Sequence, residues 1–101
     1  MENMTFISPK NIEEFKRWLR TEERSEGTIE KYVRDVTKLG LWLVERAISK
    51  ESISAWKEHL LSENYAPVTI NSMIASINTF CRFLGLDCKV KFLRRLIISM
   101  L

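Results

Sequence analysis

Apolar residues recur every three or four positions along most of this chain of 101 residues, which is the spacing of amphipathic helices. The pattern predicts four helices, over about 9–21, 26–46, 50–62 and 67–84. Alternation of apolar and polar residues with period two is limited to the short run 89–92, so no sheet is expected. The predicted fold class is therefore all-α.

The helix boundaries carry signals of their own. Ser8 is suited to cap the first helix and Pro9 to occupy its first turn. Ile7 and Ile12 stand at the two positions that pack together as a hydrophobic staple. Gly85 follows the last periodic residue of the fourth helix and predicts its end.

The two halves of the chain resemble each other. A shift of 41 positions places residues 8–43 over 49–84 without a gap, with eight identities in 36 positions that include Thr28 over Thr69. Two amphipathic hairpins of similar size will always align in part, so a common origin of the halves stays open. The structural prediction needs less, because two matching helical hairpins can pack as a four-helix bundle in which each buries the apolar stripe of the other.

Composition indicates a folded intracellular protein. Hydrophobic residues make up 46% and charged residues 29%, and no apolar run approaches the roughly 20 residues that span a bilayer. The N-terminus lacks the layout of a signal peptide, so we expect no membrane association. Cys81, Cys88 and His59 are too few for a Cys/His zinc site. We expect both thiols to be free, His59 to pack against its neighbours, and no cofactor.

Charge is distributed unevenly. The formal net charge is +3, yet residues 1–48 hold nine basic and nine acidic side chains. Residues 64–101 hold five basic side chains and a single acid, Asp87. A surface poor in carboxylates suits a polyanionic partner, although an ordinary solvated face would give the same count.

The second and fourth helices begin alike, with two residues between the capping position and a Thr-Ile pair. Thr28 belongs to the first of these helix starts, after Ser25, and Thr69 to the other. Unpaired backbone N–H groups and the positive end of the helix dipole make such starts suitable for phosphates. The alternative role of both hydroxyls is stabilisation of the helix end.

Two helix faces are further candidates for contact with a polyanionic partner. On the second helix Lys31, Arg34 and Lys38 form a basic stripe that Asp35 interrupts, so a solvated face is the alternative. On the fourth helix the face predicted to point away from the core is small and uncharged except for one arginine. Such side chains suit a helix laid in a major groove, or a helix–helix interface. That face comprises Asn71, Ser72, Ala75, Ser76, Asn78, Thr79 and Arg82.

Three motifs together resemble the N-terminal core-binding domain of phage integrases, which are tyrosine recombinases. They are Phe15-x-x-Trp18-Leu19, Ser25-x-x-Thr28-x-x-x-Tyr32, and the helix from Thr69-Ile70 to Phe80-x-x-Phe83-Leu84. The similarity covers roughly residues 8–92. It implies a SAM-like four-helix bundle made of two helical hairpins, with a short C-terminal extension. Ala66 departs from the family, in which a capping serine is common at this position.

The resemblance also implies an organisation and a partner. It divides the chain into an N-terminal arm (1–7), the core-binding domain (8–86) and a basic, then apolar, linker (87–101) toward a catalytic domain. The implied function is to hold duplex DNA for site-specific recombination, and the implied location of this bacterial or phage protein is cytoplasmic and nucleoid-associated. The predicted DNA contacts are Ser25, Thr28, Lys31, Arg34, Lys38, Thr69, Asn71, Ser72, Ser76, Arg82, Lys89 and Lys91.

No active site is expected in this chain. Members of the family attack a phosphodiester with a tyrosine, assisted by arginine, lysine and histidine groups. The sequence has no His-x-x-Arg, Tyr32 falls on a core position, and Tyr65 falls in a turn. We therefore expect the chemistry to belong to the protein's own catalytic domain. The apolar run 96–101, if unburied, offers a surface for self-association.

Two other classes of function are open. A helical protein–protein interaction module without DNA affinity would show no salt-dependent binding to duplex DNA. An independent helix-turn-helix regulator would need a short second helix after a tight turn, and the long second and fourth helices fit this poorly.

Overall fold

The four predicted helices are present in the computed structural model, which describes residues 4–93. Within these residues the only β-type pairing is one isolated bridge, between Thr5 and Ile48. The prediction of an all-α fold with four helices is confirmed. The helices are α1 (Pro9–Thr21), α2 (Glu26–Leu43), α3 (Lys50–Ser62) and α4 (Pro67–Leu84).

Local interactions explain most of the boundaries. The Ser8 hydroxyl accepts from the Asn11 amide at 3.2 Å, and the Asn11 side chain accepts from the Ser8 amide at 2.9 Å, which forms a capping box. Ser49 and Ser52 repeat this arrangement at the start of α3. Gly85 ends α4 with φ = 72°, a left-handed conformation that favours glycine.

The predicted end of α2, at about Arg46, is wrong by three residues. The helix stops at Leu43 because Val44 turns the backbone to φ = 57°. Arg46 then folds back, and its guanidinium donates to the carbonyl of Leu43 at 3.2 Å and to that of Trp42 at 3.1 Å. These bonds satisfy carbonyls that the end of any helix leaves unpaired.

The periodic apolar positions form one core between the two hairpins. Phe15 of α1 and Phe80 of α4 are both fully buried, and their rings meet edge to face with centroids 5.0 Å apart. His59 stacks on Trp42 with ring centroids 5.4 Å apart, as the predicted packing role requires. Other core residues include Leu19, Ile29, Val36, Leu39, Leu43, Ile53, Trp56, Leu60, Ile70, Met73, Ile74 and Ile77.

The two hairpins meet through equivalent positions of their second helices. The Lys31 ammonium donates to the backbone carbonyl of Ser72 at 3.2 Å, and the Ser76 hydroxyl donates to the Asp35 carboxylate at 2.7 Å. Both pairs are 41 residues apart, which is the offset of the sequence repeat. The predicted packing of matching hairpins is therefore present at the contact of α2 with α4.

The prediction of two free thiols is wrong, because Cys81 and Cys88 form a disulfide. Cys81 lies in the last turn of α4, and the left-handed Gly85 reverses the chain so that the two Cα atoms lie 6.1 Å apart. Spacing along the sequence could not reveal this reversal. In the part of the chain that the structure describes, no helix has the length and apolarity needed to cross a membrane.

Candidate nucleic-acid interface

The outward face of α4 carries no acidic residue, since none occurs between Pro67 and Leu84. At about 100° per residue, the positions opposite its buried side chains include Val68, Ser72, Ala75 and Thr79, here called the outer row, and the exposed Arg82 continues the same face in the last turn. Val68 is 69% exposed, and the other three are half-buried. The outer row is thus a narrow, uncharged strip of small side chains that reaches solvent.

Ser76 was predicted on this outward face, and this prediction is wrong. Its side chain is fully buried, at 0% exposure. The hydroxyl donates to the Asp35 carboxylate and accepts from the Lys31 ammonium at 3.2 Å. Ser76 therefore joins α4 to α2 and has no surface left for a base or phosphate.

Lys31 was predicted as part of a basic stripe on α2, but in the structure its ammonium is engaged within the domain. Its ammonium lies 2.6 Å from the Asp35 carboxylate and also contacts the Ser72 carbonyl and the Ser76 hydroxyl. An ammonium has three hydrogens, and three acceptors surround this one. Asp35 is only 5% exposed, so the partner that neutralises it cannot be spared for DNA.

Asn71 was also predicted to contact DNA, but its side-chain amide is hydrogen-bonded within the protein. Asn71 donates to the Leu93 carbonyl at 3.2 Å and accepts from the Leu93 amide at 2.6 Å. Asn78 holds Val90 in the same two-way manner, at 3.0 and 3.1 Å. Residues 88–93, here called the C-terminal segment, are thereby fixed along α4. The two amides pair with this backbone rather than with base edges.

Besides Lys31, four of the predicted residues border a groove between α2 and α4. Arg34 and Lys38 lie on the α2 side, and Thr69 and Ser72 on the α4 side, around a volume of about 410 Å³. Arg34, Lys38 and Thr69 are exposed. The Lys38 ammonium lies 3.4 Å from the Tyr65 hydroxyl and 5.6 Å from the centre of its ring. This α2–α4 groove is the part of the predicted site that the fold brings together.

The two helix starts do not form one site. Ser25 caps α2: its hydroxyl accepts from the Thr28 amide at 3.1 Å and donates to the Thr28 hydroxyl at 3.0 Å. The start of α4 lies beside Lys38, which is ten residues or about 15 Å along α2 from Thr28. Ser25 and Thr28 therefore stabilise their own helix end, at a distance from Thr69.

Of the remaining predicted residues, Arg82 lies in the last turn of α4, and Lys89 and Lys91 lie in the C-terminal segment beside this helix. Arg82 is exposed, and its guanidinium lies 5.5 Å from the centre of the Trp18 ring. Lys89 and Lys91 project from the C-terminal segment and are both exposed. Lys50 and Lys57 of α3, which the sequence analysis missed, border a groove together with Lys89 and Lys91. Their spacing of seven along one helix face was the only signal in the sequence.

Comparison with protein families matches residues 12–86 to the family described as the phage integrase N-terminal SAM-like domain. The match covers about three quarters of the chain. The chain belongs to this family. No curated protein and no solved structure matches it.

In this SAM-like domain the outer row of α4 lies between two basic borders. Arg34 and Lys38 form the border on the side of α2. On the other side α4 meets the C-terminal segment, which carries Lys89 and Lys91. Asp35 and Asp87 are the acidic residues that line the adjoining grooves, and Asp35 is neutralised by Lys31. The arrangement offers an uncharged outer row with positive charge along both flanks and Arg82 at its C-terminal end.

Proposed function

We propose that this SAM-like domain binds duplex DNA, with the outer row of α4 facing a groove of the duplex and the two basic borders facing its phosphates. The observation that carries the proposal is the carboxylate-free α4 ridge between Arg34 and Lys38 on one side and Lys89 and Lys91 on the other. Membership of the phage integrase family supports the same partner.

The proposed mode of binding follows from which side chains remain free. Phosphate contacts position a protein on DNA, and base contacts specify the sequence. Ser72 and Thr79 are the outer-row side chains that can bond to base edges, whereas Asn71 and Ser76 are engaged inside the domain. We therefore expect binding dominated by charge, with little discrimination between sequences.

Within the recombinase, the domain holds the DNA while a catalytic domain of the same protein cleaves and rejoins it. A single bundle can contact a duplex from one side only. A domain linked to a second DNA-binding unit gains affinity through effective concentration. The isolated chain should accordingly bind weakly, with a Kd on the order of micromolar or higher at physiological salt.

The test compares one substitution placed on two helices. Ala75→Glu adds a carboxylate to the outer row, and Ala55→Glu adds the same carboxylate to an exposed position of α3 away from both grooves. Binding of a fluorescent random duplex by the whole chain is followed by anisotropy at several salt concentrations. We expect log Kd to rise linearly with log salt in the wild type, and Ala75→Glu to weaken binding at least tenfold more than Ala55→Glu.

Two results would count against the proposal. Equal effects of both substitutions would show that only net charge matters and that α4 does not face the DNA. The absence of any salt-dependent binding by the wild type would favour the protein–protein interaction module instead. Far-UV circular dichroism of each variant checks that helicity is retained.

A further inference from the structure

We infer that the groove between α3 and the C-terminal segment is a second contact for the phosphodiester backbone, with Lys50 and Lys57 as phosphate ligands beside Lys89 and Lys91. This groove, here called the lysine groove, encloses about 780 Å³ and is also bordered by Ser54 and Phe92. The inference rests on the proposed function and adds α3 to the DNA-binding surface.

The lysine groove collects positive charge that the rest of the domain does not neutralise. Residues 4–93 contain fourteen Lys and Arg side chains. Three of them form ion pairs, and four others lie over aromatic rings. Four of the remaining seven border this one groove: Lys50, Lys57, Lys89 and Lys91.

The lysines are held together although like charges repel. The Lys57 ammonium donates to the Lys91 carbonyl at 2.8 Å, which links α3 to the C-terminal segment. Asn78 fixes Val90, and the disulfide fixes Cys88, so the backbone on both sides of Lys89 is anchored to α4. Such anchoring concentrates positive potential, which an anion can then relieve.

A phosphodiester strand fits the chemistry of the groove better than an isolated anion. Asp87 borders the groove but forms no ion pair with these lysines in the described residues. The lysines come from two separate chain segments, and ammonium groups on flexible stems suit a row of phosphates as point charges. Asn78, which borders this groove, lies about 120° around α4 from Ser72 in the α2–α4 groove. The two grooves thus flank the outer row, and one duplex laid on α4 would present phosphates to both.

The experiment measures the salt dependence of duplex binding for two matched double variants of the whole chain. Lys50→Ala with Lys57→Ala removes two charges from the groove. Lys10→Ala with Arg17→Ala removes two charges that, among residues 4–93, have neither an ion pair nor an aromatic ring beneath them and border none of the grooves described. Each phosphate contact contributes about 0.9 to the slope of log Kd against log salt. We expect the slope of the groove variant to be lower than the wild-type slope by about 2, and its Kd at 0.1 M salt to be higher by a factor of about ten or more. The control variant should keep the wild-type slope.

Lysine acetylation provides an independent readout. The rate of acetylation at each lysine is measured by mass spectrometry in the presence and in the absence of random duplex DNA. We expect DNA to protect Lys50 and Lys57 several-fold and to leave Lys10 unchanged.

The outcomes separate this inference from the proposed function. If Ala75→Glu weakens binding while Lys50→Ala with Lys57→Ala leaves slope and affinity unchanged, the lysine groove is not a DNA contact and the proposed function stands. Equal losses in the control variant, or equal protection of Lys10, also overturn the inference. If the wild-type chain does not bind duplex DNA at all, both fail together.

Discussion

The ion pair between Lys31 and Asp35 is predicted to fasten the two hairpins, and replacing Lys31 by Met tests this. Methionine keeps the unbranched stem and removes the charge. Among the described residues, the substitution leaves the Asp35 carboxylate with one donor, the Ser76 hydroxyl, in a position where the side chain is 6% exposed. Leaving a buried carboxylate without its counter-ion costs more free energy than the intact ion pair contributed to stability.

The magnitude follows from the exposure of the two partners. Breaking a fully buried ion pair costs about 3–5 kcal/mol. The Lys31 side chain is 33% exposed, so water already solvates part of this pair, and we expect Lys31→Met to lower the free energy of unfolding by about 2–3 kcal/mol. Asp35→Asn keeps the shape and leaves an ammonium that can turn to solvent, so its cost should be about 1 kcal/mol.

Urea denaturation of the two single variants and the double variant gives the coupling energy. We expect the double variant to be about 1.5 kcal/mol more stable than the sum of the single effects predicts. The pair of Lys16 with Glu13 serves as the control, because its atoms are 3.3 Å apart while the side chains are 32% and 58% exposed. An exposed pair of this kind should show a coupling of at most about 0.5 kcal/mol.

The reasoning is refuted if the two cycles give the same coupling energy, or if Lys31→Met costs less than about 0.5 kcal/mol. Either result would mean that Lys31 is solvated in solution. Its ammonium would then again be a candidate for a phosphate contact.

Backbone conformation and capping give two further predictions, both measured by thermal or urea unfolding. Gly85→Ala should destabilise the domain by about 1 kcal/mol, because φ is 72° at this position. Gly27→Ala should instead stabilise the domain by up to about 1 kcal/mol, because Gly27 lies in the first turn of α2 and no atom is near the added methyl group. Ser49→Ala removes the capping box of α3 and should cost about 1 kcal/mol, whereas Ala66→Ser offers a cap that α4 lacks and should stabilise by about 0.5 kcal/mol. Effects of the same sign within either pair would contradict the assigned roles.

The candidate site was predictable where charge alone decided the outcome. Arg34, Lys38, Lys89 and Lys91 are exposed, as expected of side chains whose charge is costly to bury. Lys31 is the exception, because a buried carboxylate on the same helix and two acceptors on another gather around it. The acceptors come from α4, and their distance from Lys31 cannot be deduced from the sequence of α2.

The sequence by itself determined the helices and their charge. Caps, periodic apolar residues and Gly85 act over a few neighbouring residues, so three of the four helices begin and end where the pattern indicates. The absence of carboxylates from α4 is likewise a property of its sequence.

Only the tertiary structure decided what the uncharged polar residues do. Ser72 reaches solvent and Ser76 is buried, although both looked equally suited to a DNA groove. Hydroxyls and amides bond equally well to nucleic acid, to water or to another part of the chain, so their chemistry does not fix their partner. The tertiary structure also decided that Cys81 and Cys88 form a disulfide, and that Lys50 and Lys57 lie beside the C-terminal segment. Both features depend on the path of the chain after α4.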